Sequence, residues 1–183
     1  MLAQRNSNAK IDAVEIAEGS FLDAKENVAH SIFKDRIEVF HQSIQQFSQI
    51  RDKKYDHIVS NPPFFTGGTF SMNENKMHVR HTIKLSHQEL IQSVRKLISP
   101  EGVFSVILPL IEGLRFIELA QRANFKLIRK CEVHSRQETN IERLLLSFGR
   151  GSNDGYTTEK LIIHDGKSNS YSEDYIALTK AFY

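Results

Sequence analysis

Residues Tyr55 to Phe65 read YDHIVSNPPFF, a short apolar run closed by Ser60, Asn61 and two prolines. Adjacent prolines deny the backbone two N–H donors and disfavour the helical region for the residue before each, so a strand entering this stretch must stop there. It ends in a stiff, extended loop. Asn61 carries a side-chain carbonyl and an amide, Pro62 and Pro63 keep free backbone carbonyls, and Phe64 and Phe65 offer flat apolar faces. Together they can cradle a flat ring that bears an amine.

Working outward, the segment before this stretch alternates strand and helix patterns. Met1 to Gln4 is apolar without a cap and reads as the tail of a helix, stopped by Asn6-Ser7-Asn8. Ile11 to Ile16 is a strand with Glu15 near its carboxyl end. Phe21, Ala24, Val28 and Ile32 recur at helical spacing, which predicts an amphipathic helix over 18–33. Ile37 to Phe40 is a second strand, and Phe47 and Ile50 mark a turn or short helix.

Beyond the stretch, residues 65–84 hold Gly67-Gly68 and few apolar positions, a long connection of the kind that is usually functional or disordered. Ser86 and Glu89 form a capping box ahead of Leu90, Ile91, Val94, Leu97 and Ile98. Ser99-Pro100-Glu101-Gly102 should end that helix, and Val103 to Leu108 has the composition of a strand buried on both faces. A helix over 112–122 should pack through Leu114, Ile117 and Leu119. Strands follow at 125–133 and 143–148. The Gly/Ser/Asn-rich segment 149–158 is the best boundary candidate. Leu161 to His164 is a strand entering the Asp165-Gly166 turn, and 175–183 can close the chain as a helix. This alternation is that of a single α/β domain with a mostly parallel sheet. Such sheets bind ligands beyond the carboxyl ends of their strands, where Glu15 and Asn61 both fall.

Composition narrows the classes. With 183 residues, 40% apolar and 25% charged, the chain can bury a core and reads as an ordinary soluble, cytoplasmic protein. No apolar run is long enough to span a bilayer, and Arg5 to Asn8 interrupt any signal-peptide core. One cysteine, Cys131, excludes an internal disulfide framework and argues against zinc; no metal is expected. A net charge of +2 permits a nucleic-acid partner without requiring one. Nothing in the residues fixes an oligomeric state.

A carboxylate just after a parallel strand can accept hydrogen bonds from the two hydroxyls of a ribose, with Ile16 beside it to pack on a base. The plainer reading of Glu15 is a solvated acid at a strand end. For Asn61-Pro62-Pro63-Phe64, the Asn61 and Pro62 carbonyls can accept both hydrogens of an aromatic amine and favour its pyramidal, nucleophilic form. Phe64 would stack on the base and orient it. The plainer reading is a stiffened turn with one buried Phe. A strand in front and a long Gly-containing loop behind favour the binding one. Lys76, His78, Arg80, His81 and Lys84 could meet phosphates, or form a solvated loop.

These residues resemble a known family. Glu15 after a strand, Ser60-Asn61-Pro62-Pro63-Phe64-Phe65 after another, Arg80-His81 in the next loop and the closing segment Tyr171 to Tyr183 look like the bacterial tRNA(Val) (adenine-37)-N6-methyltransferases. The resemblance covers essentially the whole chain and implies a Rossmann-like class I methyltransferase sheet with an antiparallel C-terminal strand. It implies S-adenosylmethionine as cofactor and valine tRNA as partner. It gives Asn61, Pro62, Pro63 and Phe64 the target amine and base, and Glu15, Ile16, Ser43, Ile44 and Asn61 the cofactor. Phe65, Arg80 and His81 would meet the substrate. Asn-Pro-Pro-aromatic also occurs in methyltransferases of rRNA guanine and protein glutamine, so those substrates, or an inactive RNA-binding module, are the alternatives.

Two departures stand out. Ser43 occupies the place where the family usually has an acidic residue for the cofactor's adenine amine. The Gly-rich motif D-x-G-x-G-x-G is absent, which makes the sequence read as a fragment or as starting at an internal methionine. The expectation is weak or no cofactor binding by the chain as it stands.

Overall fold

The computed structural model describes residues 1–63, 85–151, 155–166 and 170–182. Its contacts divide it into two units, Met1–Asp52 with Phe182, and Lys53–Ala181. The division falls after Asp52 rather than in the Gly/Ser/Asn-rich segment 149–158.

The first unit runs α1 (Leu2–Arg5), β1 (Ile11–Glu15), α2 (Glu18–Ala29), a 3-10 turn (Lys34–Arg36), β2 (Ile37–His41) and α3 (Ile44–Ile50). β1 and β2 pair in parallel from Ile11↔Ile37 to Glu15↔His41, so their carboxyl ends lie side by side. Arg36 reaches back to the carbonyls of Ala3, Asn6 and Ala9 at 2.7, 2.8 and 3.1 Å, satisfying acceptors at the end of α1 and in the loop that follows it. Asp12 pairs with Arg51 at 3.2 Å, and the Arg51 guanidinium lies over Phe40 and Phe47, 4.7 and 5.5 Å from their centroids. Here α2 departs from its periodicity: it stops at Ala29, buries none of its residues, and Ile32 is 90% exposed. Ser31 caps the exit by donating its hydroxyl to the Val28 carbonyl, which turns the chain before Ile32 can join the helix.

The second unit contains β3 (Tyr55–Ser60), α4 (His87–Leu97), β4 (Ile98–Pro109), α5 (Leu110–Arg122), β5 (Lys126–His134), β6 (Arg143–Gly149), β7 (Thr157–Ile162) and α6 (Glu173–Thr179). Its sheet has the order β3-β4-β6-β5-β7. β4 is parallel to β3 and antiparallel to β6, and β5 is antiparallel to β6 and parallel to β7. Four strands therefore point one way and β6 is reversed. The core lies on the α4–α5 face, where Phe104, Phe116, Phe125 and Phe148 bury their rings with centroids 5.8–6.5 Å apart.

Three details correct the sequence pattern. β4 begins at Ile98, before the expected break: its register with β3 slips between Tyr55 and His57, and the bulge absorbs Ser99–Gly102. Gly102 permits this, because a Cβ there would sit 2.9 Å from the Tyr55 carbonyl oxygen and 2.6 Å from Ile98 Cγ1. β4 is also not buried on both faces. Phe104, Val106 and Leu108 are buried, but Ser105 and Ile107 face an open groove of about 820 Å³, and Ser105 bonds His57 at 2.9 Å and Ser147 at 3.1 Å. Finally, α5 buries Gly113, Phe116 and Ala120 and packs Ile117 and Leu119 against the core as expected, but leaves Leu114 47% exposed, because Phe116 and not Leu114 fits among the core rings.

Candidate functional site

β3 delivers Asn61, Pro62 and Pro63 to its carboxyl end, as the proline pair requires. Asn61 and Pro63 are exposed and Pro62 is buried, so the stiff turn is anchored at its middle residue while the Asn61 amide stays accessible. β4 runs alongside, Ser60 facing Val106, and continues to Pro109, from which α5 opens. Phe64, Phe65, Arg80 and His81 lie outside the described residues, as does the rest of the long connection.

Two residues that no sequence motif singles out lie in the first turns of α5 and α4. Glu112 is buried, at 6% exposure, in the first turn of α5, where the helix dipole favours a carboxylate; Arg115 donates to it at 3.3 Å. His87, in the first turn of α4, sets its ring edgewise on Phe116, centroids 5.1 Å apart. Burial lowers its pKa below the ordinary imidazole value, partly offset by the Glu112 charge. An acid three residues after the strand-ending Pro109 was the available signal for Glu112.

In the first unit, Glu15 closes β1. Its Oε1 accepts the Ala17 N–H at 2.7 Å, fixing one carboxylate oxygen at the start of α2. Ile16, next to it, is 38% exposed. His41, opposite Glu15 on β2, stacks on Phe21 with centroids 4.9 Å apart and lies with Nε2 3.2 Å from the Ile16 carbonyl.

Ser43 and Ile44 open α3. The Ser43 hydroxyl accepts the Gln46 N–H and donates to the Gln46 Oε1, each at 3.1 Å, while Gln46 Oε1 accepts the Ser43 N–H at 3.3 Å. Ser43 is thus a buried capping-box residue, and S-x-x-Q at 43–46 announces it in the sequence. Its hydroxyl proton is committed to Gln46, which leaves one lone pair for anything else.

Comparison with known proteins connects these observations. Residues 1–108 match the family described as Methyltransferase small domain. A tRNA1(Val) (adenine(37)-N6)-methyltransferase of Dyadobacter fermentans is 37% identical, covering 100% of this chain and 76% of its own length. A protein of the same description from Vibrio campbellii is 35% identical, over 100% of this chain and 74% of that relative. The chain belongs to this methyltransferase family. The resemblance read from Glu15, the Asn61-Pro62-Pro63 run and the closing segment is borne out. Among solved structures, a predicted O-methyltransferase from Agrobacterium tumefaciens superposes with a TM-score of 0.77 at 17% identity, over 98% of this chain and 81% of that one. The glycopeptide N-methyltransferase MtfA complexed with S-adenosyl-L-methionine gives 0.56 at 12% identity, over 78% and 73%. At such identities the likeness concerns the fold, a class I methyltransferase α/β sheet. Among the described residues no helix is long and apolar enough to cross a membrane, and no group of three metal-ligating side chains converges.

Proposed function

We propose that, although the absent Gly-rich motif predicts weak cofactor binding, this chain transfers a methyl group from S-adenosylmethionine to the N6 amine of adenine 37 in valine tRNA, acting as one methyltransferase domain in the cytoplasm. The carrying observation is the Asn61-Pro62-Pro63 turn at the carboxyl end of β3 in a member of this family.

The residues present fit the cofactor's sugar. Glu15 has one carboxylate oxygen held by Ala17 and a second available to a ribose hydroxyl, with the exposed Ile16 beside it for the adenine ring. Ile44 and Ser43 would border the same ring, Ser43 with its one remaining lone pair. When bound, S-adenosylmethionine supplies an electrophilic methyl carbon on a sulfonium. The chain's own work is on the nucleophile. Asn61 Oδ1 and the Pro62 carbonyl accept the two amine hydrogens of adenine 37, which localises the N6 lone pair for attack. Phe64 stacks on the base and holds it in line, while Pro63 stiffens the turn. Phe65, Arg80 and His81 meet the surrounding RNA. Formation of the new N–C bond would be matched by breaking of the methyl–sulfur bond, the electron pair returning to sulfur to leave a neutral thioether, and one amine proton leaves to water.

Replacing Asn61 by Ala tests this directly. Because Asn61 is exposed, Asn61→Ala should leave the thermal unfolding midpoint unchanged and reduce methyl transfer at least ~100-fold, the scale of losing a transition-state hydrogen-bond acceptor. Parent-level turnover in a folded variant would refute the role.

A further inference from the structure

We infer that His41 is a positioning residue for the cofactor's ribose, acting through Glu15; this rests on the Glu15 reading proposed above. β1 and β2 end in register, so His41 faces Glu15 across the parallel pair. The Ile16 carbonyl can only accept, so the hydrogen in its 3.2 Å contact with His41 belongs to Nε2. That donor exists in the Nε2–H neutral tautomer and in the imidazolium alike. The ring is held in turn by its stack on Phe21, at an interplanar angle of 16°. Phe21 lies on the first turn of α2, where its N–H bonds the Ala17 carbonyl at 2.9 Å.

The turn Glu15–Ala17 is therefore gripped on three sides. His41 holds the Ile16 carbonyl, the Glu15 carboxylate holds the Ala17 N–H at 2.7 Å, and the Gln42 N–H holds the Glu15 carbonyl at 3.0 Å. With Oε1 so fixed, the Glu15 side chain keeps one orientation without ligand, and a diol meets a preorganised acceptor. Glu15 itself is half-buried and the turn has no buried apolar residue to hold it, so these polar contacts are what set its geometry.

The test uses the whole chain, with two readouts: hydrogen exchange at the Ala17 amide in the free protein, and calorimetric titration with S-adenosylmethionine. His41→Ala, which loses bond and stack, and His41→Phe, which keeps a ring but loses the donor, should each speed Ala17 exchange and weaken cofactor binding about five-fold, the scale of one hydrogen bond. His41→Gln, which places an amide donor near the Nε2 position, should restore both to within about two-fold. In a Glu15→Ala background, His41→Ala should weaken binding no further, because the two act as a unit. Weakened binding in Glu15→Ala with no effect of His41→Ala, or equal loss in both backgrounds, overturns the His41 role alone. Unchanged binding in Glu15→Ala overturns the Glu15 reading and the inference with it, and no saturable binding by the parent overturns the proposed activity of this chain and the cofactor arm of the inference together. Unchanged Ala17 exchange in His41→Ala contradicts the positioning role regardless of cofactor.

Discussion

Ser43 and His87 show how much a single side chain's role depends on what folds beside it. Ser43 stands where the family resemblance calls for an acid, yet its hydroxyl is committed to Gln46 in a helix cap. His87 follows a capping serine in sequence, and its desolvation against Phe116 arises only from the packing of α4 on α5. That burial has a consequence for pH. A histidine whose folded pKa lies below its unfolded value of about 6.5 binds its proton more readily in the unfolded chain, so its share of stability is intact above that value and lost as pH falls through the folded pKa. Comparing unfolding midpoints at about pH 7.5 and about pH 5, His87→Gln should show a shallower acid-side fall than the parent. An equal or steeper fall would show that His87 is not the group responsible. The placement of Glu15 and Asn61 at strand ends needed only strand patterns and proline stereochemistry, which are local, while their roles toward cofactor and amine came with the family resemblance. The roles of His87, Glu112 and His41 depend on neighbours 29, 25 and 20 residues away (116 − 87, 112 − 87 and 41 − 21), and nothing local reports those contacts.

At the level of elements, termini were legible and faces less so. The Ser86–Glu89 box closes as the sequence implies: Ser86 Oγ accepts the Glu89 N–H at 3.2 Å, and Glu89 Oε2 accepts the Ser86 N–H at 2.8 Å. Ser86→Ala should therefore cost ~1 kcal/mol in denaturant unfolding, and a change near zero would show that α4 is held by packing alone. By contrast α5 rotated its buried stripe from Leu114 to Phe116, because the volume available among Phe104, Phe125 and Phe148 is a property of the sheet and not of the helix. β4 likewise ran through a Ser-Pro-Glu-Gly signal that reads as a stop. Pairing with β3 supplied the hydrogen bonds, and Gly102 supplied the clearance. Gly102→Ala should lower stability by ~1–3 kcal/mol, since the clash includes a backbone oxygen that cannot swing away. A neutral effect would mean that the bulge relaxes freely.

For the molecule as a whole, the alternation of strands and helices was enough to indicate a mostly parallel α/β sheet, because each element carries its own period, whereas a reversed strand was implied only by the family resemblance. The strand order β3-β4-β6-β5-β7 was not indicated, since it depends on long-range pairing. What the order does for function is to set β3 parallel beside β4, so that Asn61 follows Ser60, the partner of Val106, near the carboxyl end of β4. The measurement that bears most directly on the proposed activity is nucleoside mass spectrometry of valine tRNA transcripts incubated with the chain and labelled S-adenosylmethionine at saturating concentration. Labelled N6-methyladenosine is expected with adenine at position 37, none with guanine there, and none from Asn61→Ala. An unlabelled adenine-37 transcript, or equal labelling of the guanine-37 transcript, would contradict the proposed activity.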